Sequence, residues 1–279
     1  FCLGDTGAMT GHSPDATVQA INEQIQKGIT LMLPYEDVIW VGEELQRRFK
    51  LPYWQFALTA TDANRFVLRM ARMLTERPKI LVFNYCYHGS VDETFITLDE
   101  EGTPMSRPNN MGPQVNPLQT TKVIEFNDIA ALETVLSARD VAAVLAEPVM
   151  TNVGIIHPNP GYHAALRELT RKYGTYLIID ETHTICTGPG GYTAAFSLQP
   201  DFLTIGKPLA GGVPAAVYGF SEEVSKAFAE KLNVDDADVG GIGGTLAGNA
   251  LSIAAMKATL QHVLTDEFYV KAIALQEKF

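Results

Sequence analysis

The sequence is poor in cysteine, in blocks of basic residues and in long apolar runs, and each absence excludes a class of protein. Its three cysteines, Cys2, Cys86 and Cys186, form no CxxC pair, so neither a disulfide framework nor a zinc ribbon is expected. The 21 Lys and Arg residues are outnumbered by 32 Asp and Glu, and the resulting net charge of −11 disfavours nucleic acid and anionic membranes as partners. No apolar run approaches the roughly 20 residues that span a bilayer. We therefore expect a cytoplasmic protein that acts on small molecules.

Short apolar runs alternate with amphipathic segments along the chain. This alternation is typical of βαβ units, and it predicts an α/β fold with a mainly parallel central sheet and helices on both faces. Residues 99–120 are rich in Pro, Gly and Asn and predict a long loop. The predicted strands are 80–84, 141–146, 176–180, 202–205 and 216–220, and the predicted helices are about 14–27, 37–49, 62–75, 128–137, 161–173, 221–231 and 248–263.

Reactive or aromatic side chains follow four of these strands. In an open parallel sheet, ligands bind beyond the carboxyl ends of the strands. Asp180 ends the run YLIID, Lys207 follows FLTIG, Glu147 follows VAAVLA, and Tyr87 and His88 follow ILVFNYC. We expect the functional site at this edge of the sheet.

Lys207 and Asp180 form the most informative pair. A lysine at a strand end often extends into solvent, but glycines at 206, 211 and 212 let the backbone pass close to a ligand. A lysine shielded from water is a nucleophile that can form a Schiff base. An aspartate at a strand end often caps the next turn, but a buried carboxylate can also hold a pyridine ring protonated. The pair indicates pyridoxal phosphate.

Two further segments are candidates for holding that cofactor. Residues 59–63, TATDA, precede an amphipathic run and would place free N–H groups and hydroxyls at a helix N-terminus, where a phosphate binds, although plain helix capping explains them equally well. Tyr87 is a candidate for stacking on the ring, although a core tyrosine is more common. His88 is interpreted as structural. A metal site formed by Cys86, His88, His183 and Cys186 is an alternative, but C-x-H with H-x-x-C is not a usual ligand spacing.

Six blocks, in their order and spacing, resemble the class III (omega) aminotransferases, a family that includes glutamate-1-semialdehyde aminomutase. The blocks are TATDANRFVLRMAR, NYCYHGSVDE, LAEPVMTNVGII, LIIDETHT, PDFLTIGKPLAGGVPAAVYG and GGTLAGNALSIAAM. The resemblance implies a fold-type-I pyridoxal-phosphate transferase whose large domain covers residues 1–263. Residues 264–279 would begin the connection to a small C-terminal domain that is absent from this chain, so we expect an incomplete polypeptide.

The resemblance also implies roles for the cofactor-binding residues. By motif, Lys207 would be the Schiff-base lysine and Asp180 the partner of the pyridine nitrogen. Ala60 and Thr61 would hold the phosphate, and Tyr87 would stack on the ring.

Other blocks imply contacts to the substrate and to a second subunit. Glu147 and Asn152 match the E-P-x-x-x-N block near the cofactor ring and the substrate. Thr245, in GGIGGTLAGN, would reach the phosphate of the neighbouring subunit in a homodimer. Thr182 stands where the family packs a valine under the ring, and no arginine follows Arg171, so a clamp for a substrate carboxylate must come from elsewhere.

The predicted activity is a ping-pong aminotransferase reaction. An amino group would move from an amine or amino acid to a keto acid, aldehyde or ketone, with Lys207 as the base. A glutamate-1-semialdehyde-type 2,1-aminomutase is the first alternative. A decarboxylase, a racemase or a non-catalytic protein of the same fold is less expected.

Overall fold

Helices and strands alternate through most of the computed structural model, which describes residues 4–31, 33–112, 116–232 and 239–278. The helices of these ranges are α1 Asp15–Lys27, α2 Glu36–Phe49, α3 Ala60–Thr75, α4 Ile129–Ser137, α5 Tyr162–Tyr173, α6 Gly191–Ala195, α7 Glu222–Lys231, α8 Ala250–His262 and α9 Asp266–Gln276. The strands are β1 Tyr53–Ala57, β2 Lys79–Phe83, β3 Ile96–Leu98, β4 Pro104–Ser106, β5 Thr121–Ile124, β6 Val141–Ala146, β7 Tyr176–Asp180, β8 Phe202–Ile205 and β9 Ala216–Phe220. Short 3-10 helices include Thr184–Thr187 and Lys207–Ala210.

The central sheet has seven strands in the order β1-β9-β8-β7-β6-β2-β5. The pairings from β8 through β7, β6 and β2 to β5 are parallel. Strand β9 is antiparallel to both of its neighbours, β1 and β8. The predicted mainly parallel sheet is therefore confirmed, and the carboxyl ends of β6, β7 and β8 lie side by side.

Helices cover both faces of this sheet, as predicted. Phe202 and Tyr218 pack into a core with residues of α3, α4 and α5. The alternate residues Leu203 and Val217 pack into a second core with residues of α2, α8 and α9. Because successive side chains of a strand point to opposite faces, β8 and β9 contribute to both cores.

The predicted helix boundaries agree with the observed ones to within about two residues. Helix α3 begins at Ala60, two residues before its predicted start, because the Thr59 hydroxyl caps it and accepts the Asp62 amide at 3.1 Å. The predicted loop 99–120 contains β4, which pairs with β3 in a short antiparallel hairpin. Residues 113–115 of that loop lie outside the described residues. In the ranges that the structure describes, no helix combines the length and the apolar character of a membrane span.

Candidate active site

Lys207 lies two residues beyond the end of β8 and has an uncommon backbone conformation. Its φ is 51°, in the left-handed region that non-glycine residues rarely occupy, and such strain is kept where the surrounding structure imposes it. The preceding residue, Gly206, packs so closely on the first turn of α3 that an added Cβ would lie 3.0 Å from the Cβ of Ala60. The lysine and the N-terminus of α3 are therefore held side by side.

Asp180, at the end of β7, is buried in a network of hydrogen bonds. Its Oδ2 accepts from Asn64 Nδ2 at 2.9 Å and lies 2.9 Å from His88 Nδ1, while its Oδ1 accepts the Thr182 amide at 3.0 Å. The Thr204 hydroxyl donates to Asn64 Oδ1 at 2.8 Å and fixes that amide. The arrangement leaves Asp180 held from several sides at the floor of a cleft.

The charge of Asp180 follows from its contact with His88. Burial by itself would raise the pKa of Asp180, but hydrogen bonds and the positive charge of His88 outweigh burial and lower it. Burial would lower the pKa of His88, and the carboxylate raises it instead. The contact thus favours an ionised Asp180 that accepts a hydrogen bond from His88 Nδ1.

These side chains face a cleft of about 280 Å³ at the carboxyl ends of the strands. Seven of the nine residues predicted for the site line it: Lys207, Asp180, Ala60, Thr61, Tyr87, Glu147 and Thr182. Its other lining residues are Leu58, Thr59, Gly89, His183, Gly212, Val213, Pro214 and Ala215.

The two remaining predicted residues lie elsewhere. Asn152 is exposed and donates from Nδ2 to the Tyr85 carbonyl at 2.9 Å. Thr245 lines a separate cleft with Trp54 and Phe56. Thr245 is thus not part of the Lys207 cleft of its own chain. Its contact with the cofactor phosphate of a neighbouring subunit stays a prediction.

The N-terminus of α3 lies at one end of the cleft and is a candidate anion site. The first amides of a helix have no acceptor within the helix, and they attract negative groups. Thr61 Oγ1 accepts the Ser90 amide at 2.9 Å, and Gly89 passes so close that a Cβ there would overlap the Thr61 hydroxyl. Backbone and hydroxyl therefore form a narrow cradle that fits a phosphate group.

Glu147 and Thr182 bring polar atoms without partners to the same cleft. Both residues are buried, and neither Glu147 Oε1 nor Thr182 Oγ1 has a hydrogen-bond partner in the structure. Burial raises the pKa of Glu147 from 4.5 to about 6. Buried polar atoms without partners are rare in proteins and usually meet water or a ligand. Together with the anion site, Asp180 and Lys207, they fit a polar aromatic phosphate such as pyridoxal phosphate.

His183 also lines the cleft, although the sequence analysis considered it only for the metal alternative. Its Nε2 lies 2.6 Å from Lys207 Nζ, and its Nδ1 lies 3.0 Å from the Thr6 hydroxyl. It follows β7 in LIIDETHT, so the rule that selected the other strand ends also points to it. His88, interpreted as structural, is the ionic partner of Asp180. In the described part of the chain, no group of three His, Cys, Asp or Glu residues is arranged to hold a metal ion.

Comparisons with known proteins show to which family this chain belongs. The sequence model of the family described as Aminotransferase class-III matches residues 4–279. A glutamate-1-semialdehyde 2,1-aminomutase of Sorangium cellulosum (strain So ce56) is 34% identical over 266 residues, which are 94% of this chain and 59% of that protein.

Solved structures that resemble this chain include aminomutases and transaminases. A glutamate-1-semialdehyde-aminomutase from Pseudomonas aeruginosa PAO1 is 52% identical with a TM-score of 0.92, covering 96% of this chain and 60% of that one. A variant of it is solved in complex with PMP. An omega-transaminase from Sphaerobacter thermophilus is 31% identical with a TM-score of 0.84, covering 96% and 62%. The chain spans about three-fifths of the length of these relatives. It belongs to the class III aminotransferases, and its cofactor is pyridoxal phosphate.

Proposed function

We propose that this protein is a 2,1-aminomutase of the glutamate-1-semialdehyde type. The observation that carries the proposal is the convergence of Lys207, Asp180 and the N-terminus of α3 on one cleft, in a chain that is 52% identical to an aminomutase. From the sequence alone, we expected an aminotransferase with an external acceptor first and an aminomutase second. The 52% identity favours the aminomutase instead. As a class III enzyme of this kind, it would act in the cytoplasm as a homodimer.

The cleft residues have distinct tasks in such a reaction. Pyridoxal phosphate, when bound, supplies an aldehyde that links to amines and a ring that takes up electrons from the adjacent carbon. Lys207 would hold the cofactor through its amine. When released, the same amine would carry a proton between two carbons of the bound substrate and cofactor.

Asp180 would determine the charge of the cofactor ring. Its carboxylate is kept ionised by His88, so it can accept a hydrogen bond from a protonated ring nitrogen. Because Asn64 and the Thr182 amide also hold it, the carboxylate needs no reorganisation during the reaction. Preorganised charge of this kind is commonly the largest electrostatic contribution to a rate.

The remaining side chains would orient the bound molecules. The amides of Ala60 and Thr61 and the Thr61 hydroxyl would hold the phosphate at the N-terminus of α3. Tyr87, which is 40% exposed, would cover the ring. Glu147 and Thr182 would offer their unpaired oxygens to polar groups of the cofactor or substrate.

Supplying the substrate without any acceptor tests the proposal. Full-length protein loaded with pyridoxal phosphate should convert many equivalents of glutamate 1-semialdehyde, because the amino group that leaves carbon 2 returns to the same molecule. Product would be measured by chromatography over time. Lys207→Ala is the control, and it should show neither turnover nor the visible absorbance of covalently attached cofactor.

An aminotransferase that needs an external acceptor is the second candidate. The 31% identity to an omega-transaminase supports it. Such an enzyme would stop after about one equivalent and resume only when a 2-oxo acid is added. That outcome would overturn the aminomutase proposal in favour of the transaminase.

A further inference from the structure

We propose that His183 is a positioning residue that holds the Lys207 amine whenever this amine is free, and that Thr6 fixes the orientation of the imidazole. The inference rests on the proposed function, since it assigns a partner to the lysine of that reaction. It also brings the N-terminal segment of the chain into the active site, because Thr6 is 177 residues away from His183 in sequence.

The geometry assigns donors and acceptors along the chain of contacts. When its amine is protonated, Lys207 can only donate, so His183 Nε2, at 2.6 Å, accepts with its lone pair. The ring proton of a neutral imidazole then sits on Nδ1, from which it donates to Thr6 Oγ1 at 3.0 Å. Thr6 is only 8% exposed, so water does not easily replace its hydroxyl. The hydrogen bond to Thr6 thus sets the tautomer of His183 that the hydrogen bond from Lys207 requires.

The surroundings keep the imidazole in its accepting form. Burial lowers the pKa of His183, and the positive charges of Lys207 and His88 lower it as well, whereas Asp5 and Asp180 act in the opposite direction. A neutral ring is the form that accepts a hydrogen bond from an amine. The charges that face His183 therefore agree with the contact that the distances indicate.

Asp5 is a second and weaker partner of the lysine. Its Oδ2 lies 3.0 Å from Lys207 Nζ, but its side chain is 77% exposed and solvent screens the pair. His183 is the more enclosed partner, with a side chain 20% exposed. The free amine is thus held mainly from the side of His183.

Holding the amine matters because the lysine must leave the cofactor and return to it. A lysine side chain has many rotamers, and fixing it in one orientation has an entropic cost when the bond forms again. A contact that selects one orientation beforehand reduces this cost. We therefore expect His183 to control how fast Lys207 captures the cofactor, whatever substrate is used later.

Recapture can be measured directly on full-length protein from which the cofactor has been removed. Pyridoxal phosphate is added back, and visible absorbance follows its covalent attachment. His183→Ala should slow attachment roughly 10-fold, the effect of one hydrogen bond to a charged group. His183→Gln should restore most of the rate, because its amide oxygen replaces the Nε2 acceptor. Equal rates for wild type and His183→Ala would overturn the proposal, and so would a glutamine variant as slow as the alanine one.

A matched pair of threonines tests the second contact. Thr6 and Thr10 are both 8% exposed in the same segment, but the Thr10 hydroxyl has no hydrogen-bond partner. Thr6→Val should slow attachment roughly 5-fold, the effect of an ordinary hydrogen bond, and Thr10→Val should not. Equal effects of the two changes would overturn the role of Thr6.

The same measurement separates this inference from the proposed function. Wild-type protein that never attaches the cofactor would overturn the proposed function. Attachment that depends on His183, in a protein without aminomutase turnover, would overturn only the choice of reaction. Melting temperatures close to that of wild type would show that slow variants are folded.

Discussion

Single residues at the carboxyl ends of β6, β7 and β8 line the cleft and carry the proposed chemistry. Asp180 is the most constrained of them, because it is buried and paired with His88. Asp180→Asn should retain the cofactor but lose on the order of 10²- to 10³-fold in turnover rate, since an amide cannot stabilise a protonated ring. Turnover and cofactor absorbance of the same preparation check this. Near-normal turnover would mean that another group controls ring protonation.

Glu147 should give the protein a pH-dependent stability. A carboxyl group whose pKa is raised in the folded state contributes stability that is complete below its unfolded pKa and lost as the pH rises through the folded pKa. For Glu147 the loss should occur between pH 4.5 and about 6 and amount to about 2 kcal/mol in the free energy of unfolding of the cofactor-free protein. Glu147→Gln should remove this loss.

Denaturant unfolding at pH 4.5 and pH 7 measures the difference. The exposed Glu168 on α5 provides a matched control, because Glu168→Gln removes one carboxyl group without removing a buried one. If both variants keep the pH dependence of wild type, Glu147 is not its source.

Some residues of the cleft could be predicted from the sequence, and others could not. Lys207, Asp180 and Glu147 could be predicted as lining residues because each lies at or just beyond the end of an apolar strand. Asn64 and Thr6 were missed, because they contact the site from α3 and from the N-terminal segment. Neither residue differs in sequence from an ordinary helix or turn residue, so only the fold shows these contacts.

Among the secondary-structure elements, the turn at Gly89 packs against the first turn of α3 at the candidate anion site. Gly89 has φ of 78°, and a Cβ there would overlap Thr61 Oγ1. Gly89→Ala should therefore displace the Thr61 hydroxyl and weaken the affinity for pyridoxal phosphate, in addition to a strain of roughly 1 kcal/mol from the left-handed backbone.

Gly102 offers the control for this change. Its φ is 77°, almost the same, but nothing lies within 4 Å of a Cβ placed there. Gly102→Ala should have the backbone strain alone and leave cofactor affinity unchanged in a titration followed by absorbance. Equal affinities for the two variants would show that the close approach of Gly89 does not shape the anion site.

Elements with clear periodicity were predictable, and short or peripheral ones were not. Helices α1 to α5, α7 and α8 follow from amphipathic patterns with recognisable start residues. Strands β1 and β5 were missed because they are edge strands whose apolar character is interrupted, as in YWQFA and TKVI. Helix α6 is only five residues long and begins in a glycine-rich loop.

At the scale of the whole molecule, we predict that Thr245 of one subunit completes the active site of a second subunit. Within one chain it lines a cleft separate from that of Lys207. If it reaches the phosphate of the neighbouring subunit, Thr245→Ala should weaken cofactor retention by about 1–2 kcal/mol, the contribution of a hydrogen bond to a charged group. Equilibrium dialysis of the full-length protein measures the retention.

Mixed dimers sharpen this test. A dimer of one Lys207→Ala subunit and one Thr245→Ala subunit contains one site in which both residues are intact, provided that the threonine comes from the partner. Half of the sites should then bind the cofactor as tightly as wild type. Retention no better than that of Thr245→Ala dimers would place the threonine contact within its own chain, or nowhere.

The sequence by itself determined the class of fold and the family, and it predicted the central pair of Lys207 and Asp180, because strand periodicity, strand-end chemistry and the order of the motif blocks are local properties. The tertiary structure decided the order of the strands, the partners that lower the pKa of Asp180 and the contact between His183 and Lys207. These depend on which distant segments are brought together and on how much water remains between them. Burial and the distance between charges set the pKa of a carboxylate or an imidazole, and both quantities exist only once the chain has folded.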